Sequence, residues 1–274
     1  MLGYIKILRP INCFFAMFTT FIGVWYLSFY FSSDASWLPV VFVCLSTFFI
    51  AAAGYTINDY YDYEIDRINQ PNRVLPRGEI SLVNARIYSI TLFITGLVLA
   101  TLTKNIYCIV ISILNSTTLY LYARYFKKSF LFGNLLVAWN SCSTFIFGAL
   151  ISSNIKNIMN LVCYSFLYTI IREWVKTIED YEGDLKEKAR TIAIICGKKN
   201  TMKLLFIPAL ALLLSVNLFN YNSFVMLFVL NLLITLPVII FILILNDKNI
   251  TKIQKLMKLN MIFIVLFSVM FKSM

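Results

Sequence analysis

Two short segments hold nearly all of the acid in this chain. Of its thirteen Asp and Glu residues, every one except Asp34 and Asp247 falls between Asp59 and Glu79 or between Glu173 and Glu187. The first segment reads NDYYDYEIDRINQPNRVLPRG, Asn58 to Gly78. Asp59, Asp62 and Asp66 stand at i, i+3 and i+7, which on a continuing helix puts three carboxylates within an arc of ~60°. Tyr60, Tyr61, Tyr63 and Ile65 then point elsewhere and can pack. The second segment reads REWVKTIEDYEGD, Arg172 to Asp184. Asp180 and Asp184 share a face at i and i+4, Lys176 joins them, and Glu173 lies a further turn back. Thr177, Asp180 and Asp184 repeat the spacing of Asp59, Asp62 and Asp66, with Thr in place of the first acid. Carboxylates crowded on one face repel, so the face should hold a cation or be partly protonated. Oxygen donors without His or Cys suit a hard divalent ion, Mg2+ or alternatively Mn2+.

Basic residues accompany both clusters. Mg2+ is usually held by one or two carboxylates, with water and substrate phosphates completing its octahedron. Arg67, Arg73 and Arg77 follow the first cluster and Lys176 sits inside the second, placed to contact the remaining phosphate oxygens. Carboxylates, a divalent ion and cations together make a diphosphate site, and in so apolar a chain the natural diphosphate is an isoprenoid one. Two halves of one such site is the expectation. A solvated helix end laced with salt bridges would account for one cluster but not for a second of matching spacing. For Glu64, Glu79, Glu182 and Glu187 the solvated reading is the better one. Asn12, Asn134 and Asn140 either hydrogen-bond between helices or serve the site. Histidine is absent, which excludes imidazole as base, nucleophile or metal ligand.

The elements that must position these residues are membrane helices. The chain of 274 residues is 60% hydrophobic and 14% charged, with a mean hydropathy of +0.79. Apolar stretches near 20 residues recur, without the alternation of barrel strands. The reading is an all-α, polytopic membrane protein, a single domain over 1–274, with nine spans near 11–32, 37–57, 85–103, 105–123, 131–153, 157–176, 204–220, 223–246 and 256–272. The first apolar run is too long for a signal peptide and lacks a clear cleavage site. With the N-terminus cytoplasmic, the outside holds only Lys104, Lys156 and, at the C-terminal end, Lys272, and the other Lys and Arg lie on or near the cytoplasmic side. The net charge of +11 follows from that bias and from contact with anionic lipid. Nucleic acid is not the partner, because the basic residues are scattered among loops. Six cysteines without metal-ligand spacing read as small, reduced core residues. A divalent-cation transporter, the rival of a different class, would favour acids near the bilayer midplane, whereas here they sit at cytoplasmic ends. A phosphatidyl-group transferase would carry an Asp-Gly-x-x-Ala-Arg signature, which the chain lacks.

Over nearly its whole length the chain resembles the UbiA superfamily of intramembrane prenyltransferases. NDYYDYEIDRINQPNRVLPRG looks like that family's first Asp-rich motif with its following arginines, and DYEGD, Asp180 to Asp184, looks like its second. The resemblance implies a nine-helix bundle around a central cavity open to the cytoplasmic side of the cell membrane. LRPINCFFAMFTTFIG, FKKSFLFGNLLVAWNSCSTFIFGAL and REWVKTIEDYEGD look most like the geranylgeranylglyceryl phosphate geranylgeranyltransferase branch. That branch commonly has Asp where this chain has Thr177, a weaker metal ligand. By implication Asp59, Asp62, Asp66, Asp180 and Asp184 are the catalytic metal ligands. Asn58, Arg67, Arg73, Arg77 and Lys176 bind the diphosphate of a prenyl diphosphate. Arg172, Lys127, Lys128 and Asn12 are acceptor-binding candidates. The acceptor is a prenylglyceryl phosphate lipid, with an aromatic quinone-type or chlorophyll-type acceptor as the close rival.

Overall fold

The computed structural model of the protein describes residues 2–28, 37–151, 158–218 and 224–270. Among these the secondary structure is entirely helical. The ends of the stretches expected at 11–32, 131–153, 157–176, 204–220, 223–246 and 256–272 run partly outside the described residues. Among the described residues, five helical segments are long and apolar enough to cross a membrane: Trp37–Tyr61, Leu82–Leu102, Ile106–Phe126, Lys198–Asn217 and Leu227–Ile244; Pro10–Trp25 is a shorter apolar helix. The expected stretch at 105–123 is interrupted by Asn115, Ser116, Thr117 and Thr118, yet it is helical. Ser116 and Thr118 donate their hydroxyls back to Ser112 O and Asn115 O, which satisfies them within the helix.

The chain divides into two compact units. The first comprises residues 1–126 and 143–158. It contains α1 (Leu2–Ile7), α2 (Pro10–Ser28), α3 (Trp37–Tyr61), α4 (Tyr63–Asn69), α5 (Leu82–Leu102), α6 (Ile106–Leu121) with a π-turn over Tyr122–Phe126, and the second half of α7 (Phe132–Ala149). Small residues let these helices approach backbone to backbone. A Cβ on Gly148 would stand 2.0 Å from Thr20 O, and one on Gly23 would stand 2.3 Å from Phe145 O. Hydroxyls join the same contacts: Thr19 Oγ1 donates to Thr144 Oγ1 at 2.8 Å, and Ser46 Oγ donates to Gly96 O at 2.7 Å. Lipid offers no hydrophobic drive between helices, so close packing and interhelical hydrogen bonds hold such contacts together. α3 is the axis of this unit, burying Ala52, Ala53, Thr56, Ile57 and Asp59 along its second half.

The second unit comprises residues 127–142 and 159–274. It holds the first half of α7, then α8 (Met159–Glu179), α9 (Tyr181–Lys186), α10 (Ile192–Cys196), α11 (Lys198–Leu204), α12 (Phe206–Leu218), α13 (Phe224–Leu230), a π-turn over Asn231–Thr235, α14 (Leu236–Ile244) and α15 (Ile250–Met270). α8 is packed through Tyr168, Ile171, Val175 and Ile178 into a core with Leu205, Leu212, Ile234, Ile253 and Met257. Two polar ties fix its rotation. The Tyr168 hydroxyl lies 2.8 Å from Asn260 Oδ1 of α15, and Gln254 Nε2 donates to Arg172 O at 2.9 Å. Asn260 Nδ2 in turn donates to Leu233 O inside the π-turn at 3.1 Å. All six cysteines are free.

Candidate active site

In the first unit the carboxylates occupy a joint between two helices. α3 ends at Tyr61, Asp62 takes φ −84°, ψ −1°, and α4 begins at Tyr63. The hydrogen-bond ladder still runs through: Asp62 N donates to Asn58 O at 2.9 Å and Asp66 N to Asp62 O at 2.8 Å. Helical spacing therefore survives the bend. Asp59, Asp62 and Asp66 are all buried, at 6%, 5% and 5% exposure.

Three buried carboxylates require partners. Arg73 Nη1 donates to Asp66 Oδ2 at 2.6 Å and lies 3.6 Å from Asp59 Oδ1. Asn58 Nδ2 donates to Asp62 Oδ2 at 2.7 Å. The remaining partner is one that the sequence reading missed. Arg9 Nη2 donates to Asp59 Oδ1 at 2.5 Å, and its guanidinium lies 5.2 Å from the Tyr55 ring centroid, one turn back on α3. Arg9 sits between α1 and α2 at φ +52°. Pro10 disfavours the right-handed conformation at Arg9, and the left-handed one lets Arg9 N close the end of α1 on Lys6 O at 3.1 Å. The available signal was a lone cation before a proline at the mouth of an apolar run, fifty residues from its partner.

Among the described residues, the other arginines of this segment form ion pairs with glutamates instead of the three aspartates. Arg67 faces Glu64 at 3.5 Å and lies over the Tyr63 ring, while Arg77 and Lys6 both face Glu79, at 3.4 Å and 3.3 Å. Asn12 is half-buried in the first turn of α2, where its backbone N–H donates to Arg9 O at 2.9 Å. Tyr120 receives the Tyr61 hydroxyl at 3.1 Å and Arg124 Nη1 at 2.7 Å.

The second unit contains a joint of the same construction. α8 ends at Glu179, Asp180 takes φ −81°, ψ 3°, and α9 begins at Tyr181. Asp180 N donates to Lys176 O and Asp184 N to Asp180 O, both at 2.9 Å. The expected correspondence of Asp59, Asp62 and Asp66 with Thr177, Asp180 and Asp184 is thus matched in local backbone. Thr177 is buried and turns its hydroxyl back to Trp174 O at 2.8 Å. Asp184 Oδ2 accepts from Thr191 Oγ1 at 3.0 Å. Glu173 is buried and accepts from Arg172 Nη1 on Oε1 at 2.8 Å, so Arg172, an acceptor-binding candidate, is held by its chain neighbour. Lys128 pairs with Glu187 at 3.1 Å, and Lys128 O accepts from Arg190 N, tying the 127–129 segment to the end of α9. Lys127 bears on Asp180 electrostatically, and Lys176 forms no ion pair among the described residues.

Electrostatics set the second joint up for a cation. The Asp180 carboxyl keeps a solvent-exposed edge, but the protein around it pushes it above the usual carboxylate range, with Lys176 opposing and Glu179 and Glu173 adding. Burial likewise raises Asp184; the Thr191 hydroxyl and Lys176 pull it down, and Asp180 and Glu187 push it up. Ionised carboxylates held at a disadvantage gain from a divalent partner. Among the described residues no three acidic or cysteine side chains converge closely enough to make a finished metal cage. The donor set itself, all oxygen, with three carboxylates at one joint and two at the other, fits an ion that keeps waters and substrate oxygens in its shell.

A family model described as the UbiA prenyltransferase family matches residues 16–266. A digeranylgeranylglyceryl phosphate synthase of Methanosphaera stadtmanae is 37% identical over 265 residues, 94% of this chain and 95% of that one. The protein of the same name from Methanococcus maripaludis is 39% identical over 215 residues, 78% and 74% of the two chains. A solved digeranylgeranylglyceryl phosphate synthase structure superposes with a TM-score of 0.80 at 31% identity, covering 98% of this chain and 96% of that one. A UbiA homologue from Archaeoglobus fulgidus, solved bound to GPP and Mg2+, shares the fold with a TM-score of 0.76 at 20% identity over 99% and 100% of the chains.

Proposed function

Because this chain belongs to the UbiA prenyltransferase family, we propose that it moves a prenyl group, geranylgeranyl in the first instance, from its diphosphate to a hydroxyl of a prenylglyceryl phosphate lipid, releasing diphosphate. One observation carries the reading: the likeness to a relative named for that product runs through 94% of the chain, a span that takes in both carboxylate joints. The A. fulgidus homologue bound to GPP and Mg2+ supports the metal and the diphosphate.

In this proposal Asp59, Asp62, Asp66, Asp180 and Asp184 hold Mg2+. The ion, when bound, neutralises charge on the diphosphate as it leaves. The chain's own residues do the rest. Asn58 orients Asp62 through its amide. Arg73 moves between the carboxylates it pairs now and the phosphate oxygens, as a fork donor suits both. Arg67, Arg77 and Lys176 add positive charge where negative charge grows on the departing group. The apolar helices exclude water from the allylic cation formed as the C1–O bond loosens. Arg172, Lys127, Lys128 and Asn12 engage the acceptor. The whole of 1–274 acts as one catalytic domain of nine spans, N-terminus cytoplasmic and C-terminus outside, with the substrate cavity opening to the cytoplasm. The distribution of Lys and Arg supports that orientation.

The test is reconstitution in liposomes with labelled geranylgeranyl diphosphate and Mg2+, offering geranylgeranylglyceryl phosphate or an aromatic quinone precursor. Label in the glyceryl lipid alone is the expected result. Label in the aromatic compound alone, or in neither, overturns the reading.

A further inference from the structure

One buried polar group in the second unit has no work in the scheme above. Asn134 is 9% exposed, and its Nδ2 has no hydrogen-bond partner among the described residues. A buried amide donor left unmade costs its full desolvation, so a protein that keeps one invites a functional account.

The surroundings of Asn134 follow from the register of α7 on α8. Ser141 Oγ of α7 lies 3.4 Å from Ser165 Oγ and 3.3 Å from Thr169 Oγ1 of α8. At the start of the same stretch, Lys127 bears on Asp180. Descending α7 thus means ascending α8, and the two helices run antiparallel. Asn134 is seven residues, two helical turns, before Ser141, which on an antiparallel neighbour brings it level with residues 172–176 of α8. Asn134, Ala138 and Ser141 share one face of α7 at i, i+4 and i+7, and Ser165, Thr169, Arg172 and Lys176 share one face of α8 at the same spacing extended by a turn. The orphaned amide therefore stands at the level of two cations, one of them without an ion pair among the described residues. It also lies in the first turn of an 18-residue helix, whose N-terminal end Ser129 caps by accepting from Gly133 N at 3.0 Å. That end favours anions.

We infer that Asn134 donates a hydrogen bond to a phosphate oxygen of a bound substrate, in a receptor completed by Lys176 and Arg172. The inference rests on the proposed function for the identity of the substrate but not for the chemistry of the ligand. A phosphate oxygen accepts several hydrogen bonds at once, and charge-assisted bonds from an amide and two cations are the strong kind. Two substrates carry one: the prenyl diphosphate and the phosphate monoester of the acceptor.

The experiment uses the full-length protein and Asn134→Leu, with Asn134→Ala as the second variant in case leucine disturbs packing. Thermal melts are recorded without ligand, then with pyrophosphate and with glycerol phosphate as probes, and KM is measured for each substrate. Without ligand, the leucine variant should melt above the parent, because an unsatisfied donor has been replaced by an apolar group of similar size. One substrate's KM should rise about tenfold in both variants, the loss of one such hydrogen bond. A rise for the acceptor assigns the monoester; a rise for the prenyl diphosphate assigns the donor. Failure of turnover with any glyceryl acceptor would sink the proposed function, yet loss of a probe's melting shift in the variants would still support Asn134. Unchanged KM values together with unchanged probe shifts overturn the inference.

Discussion

Arg9 and Asp59 form an ion pair at 2.5 Å that joins the turn before α2 to the last turn of α3. The pair is built at some backbone expense, since a left-handed residue other than glycine costs about 1–2 kcal/mol. It persists because Asp59 is buried near Asp66, and Arg73, bonded to Asp66 at 2.6 Å, stands 3.6 Å from Asp59. Arg9 is thus part of the charge balance of the carboxylate cluster, though it is far from it in the chain.

Replacing Arg9 separates these two contributions. Arg9→Ala should lower the stability of the metal-free protein by about 2 kcal/mol, a buried-pair loss reduced because the arginine is a third exposed. Arg9→Gly should lose roughly 1 kcal/mol less, since glycine takes φ +52° without strain. Denaturation in detergent with EDTA checks the order of the two. Equal losses would show that the backbone conformation is not maintained against a cost.

Asp184→Asn should stabilise the protein while stopping turnover. Burial raises the Asp184 carboxyl in the folded chain, so folding binds its proton more tightly than the unfolded chain does. The sign follows from linkage: ionisation costs stability as pH rises from the unfolded value of about 4 through the raised folded value, and the cost is complete above that folded value. Asparagine removes that cost and can still accept from Thr191. Without metal at pH 7 the variant should melt above the parent; below about pH 4 the two should coincide. Mg2+ should raise the parent's melting temperature more than the variant's, and turnover should fall at least about 100-fold.

Thr177→Asp tests the place where this chain departs from the branch it resembles. The hydroxyl now bonds Trp174 O, and the site is buried with Glu173 a turn away. A carboxylate there should lower the Mg2+ concentration for half-maximal turnover about tenfold, while lowering the melting temperature measured in EDTA. An unchanged Mg2+ dependence would remove position 177 from the metal site.

Gly148→Ala tests the close approach of α7 to α2. The added Cβ would meet Thr20 O at 2.0 Å, and backbone rather than a flexible side chain must give way. A loss of about 1–3 kcal/mol or more is expected, read as a lowered melting temperature and yield. Gly183→Ala is the control, since a Cβ there meets nothing within 4 Å.

Both carboxylate stripes could be read from the chain itself. Acids are rare in so apolar a sequence, and helical spacing is a local property that survived the bends at Asp62 and Asp180 because the hydrogen-bond ladder continued through both. The helical class was equally legible, as were the five apolar stretches long enough to span among the described residues, since the length of an apolar run reflects its solvent and not its neighbours. Arg9 on Asp59, Lys6 on Glu79 and the unmet amide of Asn134 were decided only by tertiary structure. Each depends on which distant segments pack together and at what rotation. In a chain whose helices all look alike to lipid, that choice is made by side-chain fit and hydrogen bonding between helices, which periodicity within any one of them does not encode.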